Sequence, residues 1–200
     1  MIRLPEPADN PMTIFQEWLK DAEKTEHSYP NAFTLATADA TGQPAARMLL
    51  LKGLDENGFV FYTNTESRKG DNLRANTKAA MLFYWKSLLR QIRIEGIVEN
   101  VTPREADEYF ATRPRGSQIG AWASQQSRPM DTFKDLQDSV AACEKKFAGQ
   151  DIIPRPPHWT GYRVIPTNIE FWIEGDFRLH HRHLYKKNDS NTWTMSLLNP

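Results

Sequence analysis

The chain has 200 residues, with 25 Lys plus Arg against 25 Asp plus Glu, so it carries no net formal charge and lacks the broad basic field of a nucleic-acid binder. This length suits one domain with a substantial core, and a single cysteine, Cys143, excludes an internal disulfide and a cysteine-based metal cluster. The opening residues lack the apolar core of a signal peptide, and the apolar run 79–85 is far too short to span a bilayer, so the chain reads as soluble and cytoplasmic, without a membrane partner.

In chain order, Asn10 and Pro11 predict a helix start, with Ile14, Phe15, Trp18, Leu19 and Ala22 at helical spacing. Strands are predicted over 33–38, 45–52 and 59–63, then 79–85 and 91–101, the last alternating apolar and polar residues as a half-buried strand does. Helices follow over 104–112, 118–125 and 132–147, the first ended by Pro114. After Ile153-Pro-Arg-Pro-Pro157 come four more predicted strands, near 162–165, 169–173, 177–185 and 192–197. The expected fold class is mainly β with α excursions, a small antiparallel barrel with helices at its ends.

Several stretches carry chemistry. Arg47-Met-Leu-Leu-Leu-Lys52 has a cation at each end of an apolar centre, which predicts a strand buried on both faces in its middle. The polar stretch Tyr62 to Gly70 opens a predicted helix at Asp71, and its hydroxyls, amides, Arg68 and Lys69 are the ingredients of a phosphate site. Cations there run against the helix dipole unless an anion joins them. Tyr109 and Arg113, four apart on one helical face, with Ser117 capping the next helix, form either a second anion site or an ordinary surface contact. Gln91, Gln126 and Ser127 are able to hydrogen-bond a heterocycle, and Trp172 either packs on an aromatic ligand or fills core volume. In the predicted strand 177–185, a period of two puts Arg178, His180 and Arg182 on one face, two permanent cations flanking an imidazole. The bland alternative is a solvated edge strand. His181 and His183 take the opposite face, too few ligands for a metal, so none is expected.

Taken in order, Arg47-Met-Leu-Leu-Leu-Lys52, Tyr62-Thr-Asn, Ser67-Arg-Lys-Gly70, Gln91-Ile-Arg-Ile-Glu-Gly96, Arg113-Pro-Arg-Gly-Ser-Gln-Ile-Gly-Ala-Trp122, Pro156-Pro-His-Trp159, Gly161-Tyr-Arg-Val164, Ile169-Glu-Phe-Trp172 and Arg178-Leu-His180 closely resemble the pyridoxamine 5'-phosphate oxidases. The resemblance spans nearly the whole chain. It implies one FMN-binding split β-barrel unit over 1–200, with an N-terminal segment and helix over 1–28 and C-terminal strands over 153–200 completing barrel and site. It also implies a homodimer with FMN at the interface.

Carried over by position, the resemblance assigns FMN to Arg47, Met48, Leu49, Leu50, Leu51, Lys52, Tyr62, Thr63, Arg68, Lys69, Gln91, Gln126, Ser127, Trp172 and Arg182. It assigns substrate to Lys52, Tyr109, Arg113, Ser117, Arg178, Leu179 and His180, with Arg178 and His180 as the catalytic pair. The implied reaction moves a hydride from substrate C4' to the flavin, with O2 as final acceptor and H2O2, plus NH3 from the amine, as by-products. The chain departs from the family pattern at Thr160, at Ile173-Glu174, at Leu197 and at His181, where the family has Asp. The last departure is expected to loosen Arg182 and lower FMN affinity. Competing readings are a split-barrel flavin reductase of another substrate and a flavin or B6-vitamer carrier without turnover; the cluster Tyr109, Arg113, Ser117, Arg178 and His180 argues against the reductase.

Overall fold

The structure is a computed structural model, and it describes residues 4–200. Helix α1 (Pro11–Thr25) starts where the Asn10 side chain accepts the Met12 amide at 2.9 Å, with Pro11 in a first turn that needs no donor. Nine strands follow: β1 (Ala32–Ala38), β2 (Pro44–Leu50), β3 (Gly53–Asp55), β4 (Gly58–Asn64), β5 (Lys78–Trp85), β6 (Arg90–Asn100), β7 (Trp159–Ile173), β8 (His181–Lys187) and β9 (Trp193–Leu197). They form one antiparallel sheet in the order β2-β1-β5-β6-β7-β4-β3, with β8 and β9 extending from β7. Helix α2 (Arg68–Ala75) follows β4, while α3 (Pro103–Ala111), α4 (Arg115–Ala123) and α5 (Phe133–Lys146) lie between β6 and β7.

The sheet forks at β7. Along one side β7 pairs with β6 throughout; along the other it pairs first with β4, from Trp159 to Val164, and then with β8, from Asn168 to Ile173. Pro166 sits in the gap between those two partners, where its missing N–H removes no ladder bond on the forked side. Opposite it, the β6 register shifts between Glu95 and Gly96. A Cβ on Gly96 would stand 2.2 Å from the Ile165 carbonyl oxygen, so only glycine admits this close approach.

The inner face of the sheet supplies Phe33, Leu35, Phe59, Phe61, Met81, Phe83, Ile92, Ile94 and Phe171 to the core. The apolar stripe of α1 closes over it: Phe15 meets Phe59 and Phe83 edge-on at 4.9 and 5.0 Å, and Trp18 meets Phe171 at 5.1 Å. Full burial of a ring such as Phe15 is worth about 1.5–3 kcal/mol, which ties the helix to the sheet. A second cluster of Phe110, Ile119, Phe147, Ile153 and Trp159 fastens α3 and α4 beside β7. Among the described residues no helix is long and apolar enough to cross a membrane.

The mainly antiparallel β class matches the expectation, and three local expectations do not. The two strands near 162–165 and 169–173 are one continuous β7. The strand expected over 45–52 is an edge strand, with no strand beyond it among the described residues, and its outer face is open, with Met48 62% exposed. The strand expected from 177 begins only at His181: Phe177 and Arg178 adopt left-handed backbone, φ 54° and 67°, in a tight 3-10 turn that cannot extend a ladder.

Candidate functional site

Ser67 caps α2, which starts three residues earlier than expected and so carries Arg68 and Lys69 in its first turn. Lys69 is buried; its ammonium donates to Ser67 Oγ at 3.1 Å and to Gln126 Oε1 at 2.7 Å, and Thr63 Oγ1 donates to the same Gln126 oxygen at 3.1 Å. On β2, Arg47 reaches the Leu35 carbonyl and Thr37 Oγ1, at 3.1 and 2.8 Å. Among the described residues no carboxylate pairs with Arg47 or Lys69. Burial, with the Arg47 charge second, lowers the Lys69 ammonium to about 8, and burial followed by Arg68 lowers Arg47. Cations gathered in a partly dehydrated cleft without a counter-ion favour binding of an anion. Arg68 and Ser127 are exposed beside it, Ser127 in left-handed backbone at φ 70°. Of the rest of the 47–52 run, Leu49 and Leu50 are half-buried, Leu51 is buried and Lys52 is exposed.

A cavity of 270 Å³ adjoins this pocket, lined by Asn64, Arg113, Ser117, Ser124, Gln126 and Trp159 among others. Helix α3 ends at Ala111, so Arg113 lies beyond it rather than on one helical face with Tyr109, and Pro114 rather than Ser117 occupies the cap of α4, leaving Ser117 in its first turn. The guanidinium is instead held by aromatic faces, 4.9 Å from the Trp159 ring centre and 5.5 Å from that of Phe110. Its Nη1 is buried without a hydrogen-bond partner, and burial lowers the group's pKa. Tyr62 stacks on Tyr109 at 3.9 Å and lies parallel to Trp159 at 5.3 Å. Burial, then Glu105, pushes the Tyr62 phenol up to about 12, which keeps it a neutral donor. Gln126 belongs to both pockets.

Gln91, Trp172 and Arg182 are cross-strand neighbours on β6, β7 and β8 and form a row. This row projects from the outer face, whereas Arg47 pairs with core residue Leu35 and belongs to the inner one. Arg178 and Leu179 are exposed on the turn, and the His180 ring packs at a tilt of 41° against Trp172, centroids 4.5 Å apart, while its Nδ1 accepts the Gly175 amide at 3.3 Å. The expected single-faced strand of Arg178, His180 and Arg182 is thus replaced by a turn and a strand end. His181 points to the side of β8 opposite Arg182, whose guanidinium is held by Glu170 at 2.7 Å and the Asn199 carbonyl at 3.0 Å.

Residues 19–146 match the family described as "Pyridoxamine 5'-phosphate oxidase", and residues 159–200 match "Pyridoxine 5'-phosphate oxidase C-terminal dimerisation region". The chain belongs to the pyridoxamine 5'-phosphate oxidase family. The pyridoxine/pyridoxamine 5'-phosphate oxidase of Azorhizobium caulinodans is 58% identical to it over 96% of this chain and 91% of the relative. That of Caulobacter vibrioides is 54% identical over 96% and 86%. Among solved structures, PhzG from Burkholderia lata, in complex with tetrahydrophenazine-1-carboxylic acid, superposes with TM-score 0.91 at 31% identity, covering 100% of this chain and 98% of that one. A pyridoxamine 5'-phosphate oxidase-related, FMN-binding protein of Nostoc punctiforme shares the fold, with TM-score 0.77 at 18% identity over 96% and 100%.

Within this oxidase fold, sequence reasoning gave no role to Asn64, Trp159 or Glu170. Trp159 stood inside a quoted motif, yet a lone Trp reads equally as core. Glu170 carried a usable signal: an acid between Ile169 and Phe171 in a buried strand needs a cationic partner.

Proposed function

We propose that this protein is an FMN-dependent oxidase converting pyridoxamine 5'-phosphate and pyridoxine 5'-phosphate to pyridoxal 5'-phosphate, with O2 as acceptor, H2O2 released, and NH3 formed from the amine. The observation that carries the reading is the pair of cation pockets without carboxylate partners, one around Lys69 and one around Arg113, meeting at Gln126. Two phosphate esters side by side, one of a flavin and one of its substrate, match that arrangement. A flavin mononucleotide fits the first pocket because Lys69 is buried, Arg47 half-buried, and neither has a carboxylate partner among the described residues. The bound flavin supplies the redox chemistry, and the protein supplies binding and orientation.

In this reading Arg47, Arg68 and Lys69 hold the FMN phosphate, with Met48, Leu49, Leu50, Leu51 and Lys52 along its flank and Tyr62, Thr63, Gln126 and Ser127 on its polar edges. Gln91, Trp172 and Arg182 also contact the flavin, but from the outer face of a second copy, since inner and outer faces of one sheet cannot enclose one ring system. A homodimer follows, with FMN at the interface. Lys52, Tyr109, Arg113 and Ser117 take the substrate phosphate; Arg178, Leu179 and His180 cover its pyridine ring. Because His180 Nδ1 accepts from Gly175, the neutral imidazole carries its hydrogen on Nε2, where it can be offered to the substrate. Arg178 contributes a fixed cation toward charge developing on the ring. A cytoplasmic setting accompanies this reading, with small-molecule partners and no nucleic acid.

Aerobic incubation of the purified flavoprotein with pyridoxamine 5'-phosphate tests it: aldehyde absorbance should grow with matching peroxide. Arg178→Ala should abolish most of that turnover while keeping FMN bound. Flavin retained without aldehyde or peroxide in the unaltered protein would instead establish a carrier.

A further inference from the structure

Among the described residues Glu170 is the only acidic side chain that is buried. It stands on the outer face of β7, two residues from Trp172, and each oxygen takes one guanidinium: Oε1 accepts Arg182 Nε at 2.7 Å and Oε2 accepts Arg93 Nη1 at 3.1 Å. Arg182 Nη1 donates to the Asn199 carbonyl, and the Leu198 amide donates to the Arg182 carbonyl, both at 3.0 Å. Two of the three guanidinium nitrogens are therefore fixed by acceptors from β7 and the C-terminal residues. Nη2 has no protein acceptor among the described residues. A buried carboxylate is costly to desolvate and adds little net stability when paired, so its presence calls for a reason other than strength.

We infer that Glu170 is a positioning residue: it locks the Arg182 guanidinium beside Trp172 with one nitrogen free for a ligand, the task that the family resemblance implies for an Asp at position 181. The inference rests on the reading that Arg182 contacts the flavin. It explains how the chain carries His at 181, which faces the other side of β8 and cannot reach Arg182. The hydrogen bond from Arg182 also raises that group's pKa, so the cation is permanent.

A double-mutant cycle on the dimer tests it, with FMN dissociation constants measured by fluorescence titration of apoprotein and melting temperatures measured in parallel. Glu170→Ala should weaken FMN at least tenfold, Glu170→Asp should restore part of that loss, and His181→Asp should change affinity by less than twofold. In an Arg182→Ala background, Glu170→Ala should cost no further affinity, whatever it does to the melting temperature. A loss that persists in that background overturns the proposal and leaves Arg182 assigned to FMN. Unchanged affinity in Arg182→Ala alone removes the flavin contact, and the positioning role with it.

Discussion

Lys69 lies among Ser67, Gln126 and the Arg47 charge, dehydrated and lowered to about 8, well under the 10.5 of a free lysine. Two opposite pH dependences follow. Folding depresses this base, so the apoprotein bears the penalty of a buried cation up to pH 8 and is relieved of it as pH climbs from about 8 toward 10.5; that contribution to stability rises with pH. On the proposed assignment a bound FMN phosphate raises the lysine's pKa, so FMN affinity should be full below pH 8 and fall as pH rises from there through the bound-state value. Lys69→Met should flatten both trends and, at pH 7, weaken FMN about 10- to 100-fold, the equivalent of one charge-assisted hydrogen bond at roughly 1.5–3 kcal/mol. FMN titrations and thermal melts between pH 7 and 10 supply the check, and an affinity that does not depend on pH would remove Lys69 from the phosphate. Lys69 was legible in the sequence because a cation in a polar helix start conflicts with the helix dipole. Arg113 was legible only as a charge. Its hold between Phe110 and Trp159 depends on aromatic groups brought together by the fold, and sequence spacing does not reveal them.

Among the elements, β6 announced itself by alternating apolar and polar residues, and the structure buries every second side chain along it. β7 concealed itself, because Pro166-Thr-Asn168 reads as a break, and Pro is accepted there only where the neighbouring strand changes. The Arg178 turn was hidden for the reverse reason: Phe, Leu and His favour a strand, and nothing local marks a Phe and an Arg in left-handed backbone. Gly175 marks its base, since a Cβ there would lie 2.1 Å from the Leu179 carbonyl oxygen. The bulge opposite Pro166 has its own requirement. Gly96→Ala should cost about 1–3 kcal/mol of overpacking. At ~2–4 °C per kcal/mol for a chain of this size, the melting temperature should drop by several degrees. Calorimetry giving an unchanged melting temperature would mean that the strands part there without strain.

At the scale of the molecule, the outer sheet face exposes Met48, Leu82 and Tyr84 in one area, an apolar surface that a lone soluble chain seldom leaves uncovered. The wholly apolar centre of the 47–52 run misled as a statement about one chain; it is consistent with a second copy lying against it. Leu82→Glu should both convert the dimer to monomer in sedimentation velocity and release FMN, because in the proposed site the cofactor is held by faces from two copies. Monomer that keeps FMN at unaltered affinity would sink the two-copy site. The forked strand also bears on synthesis. Phe59 finds its partner at Val164 and Asn64 finds its partner at Trp159. At ~5–20 residues per second, β4 leaves the ribosome roughly 5–20 s ahead of the strand that closes it. Until β7 follows, that edge of β4 is an unpaired ladder open to mispairing, and chaperones have it to shelter for the interval.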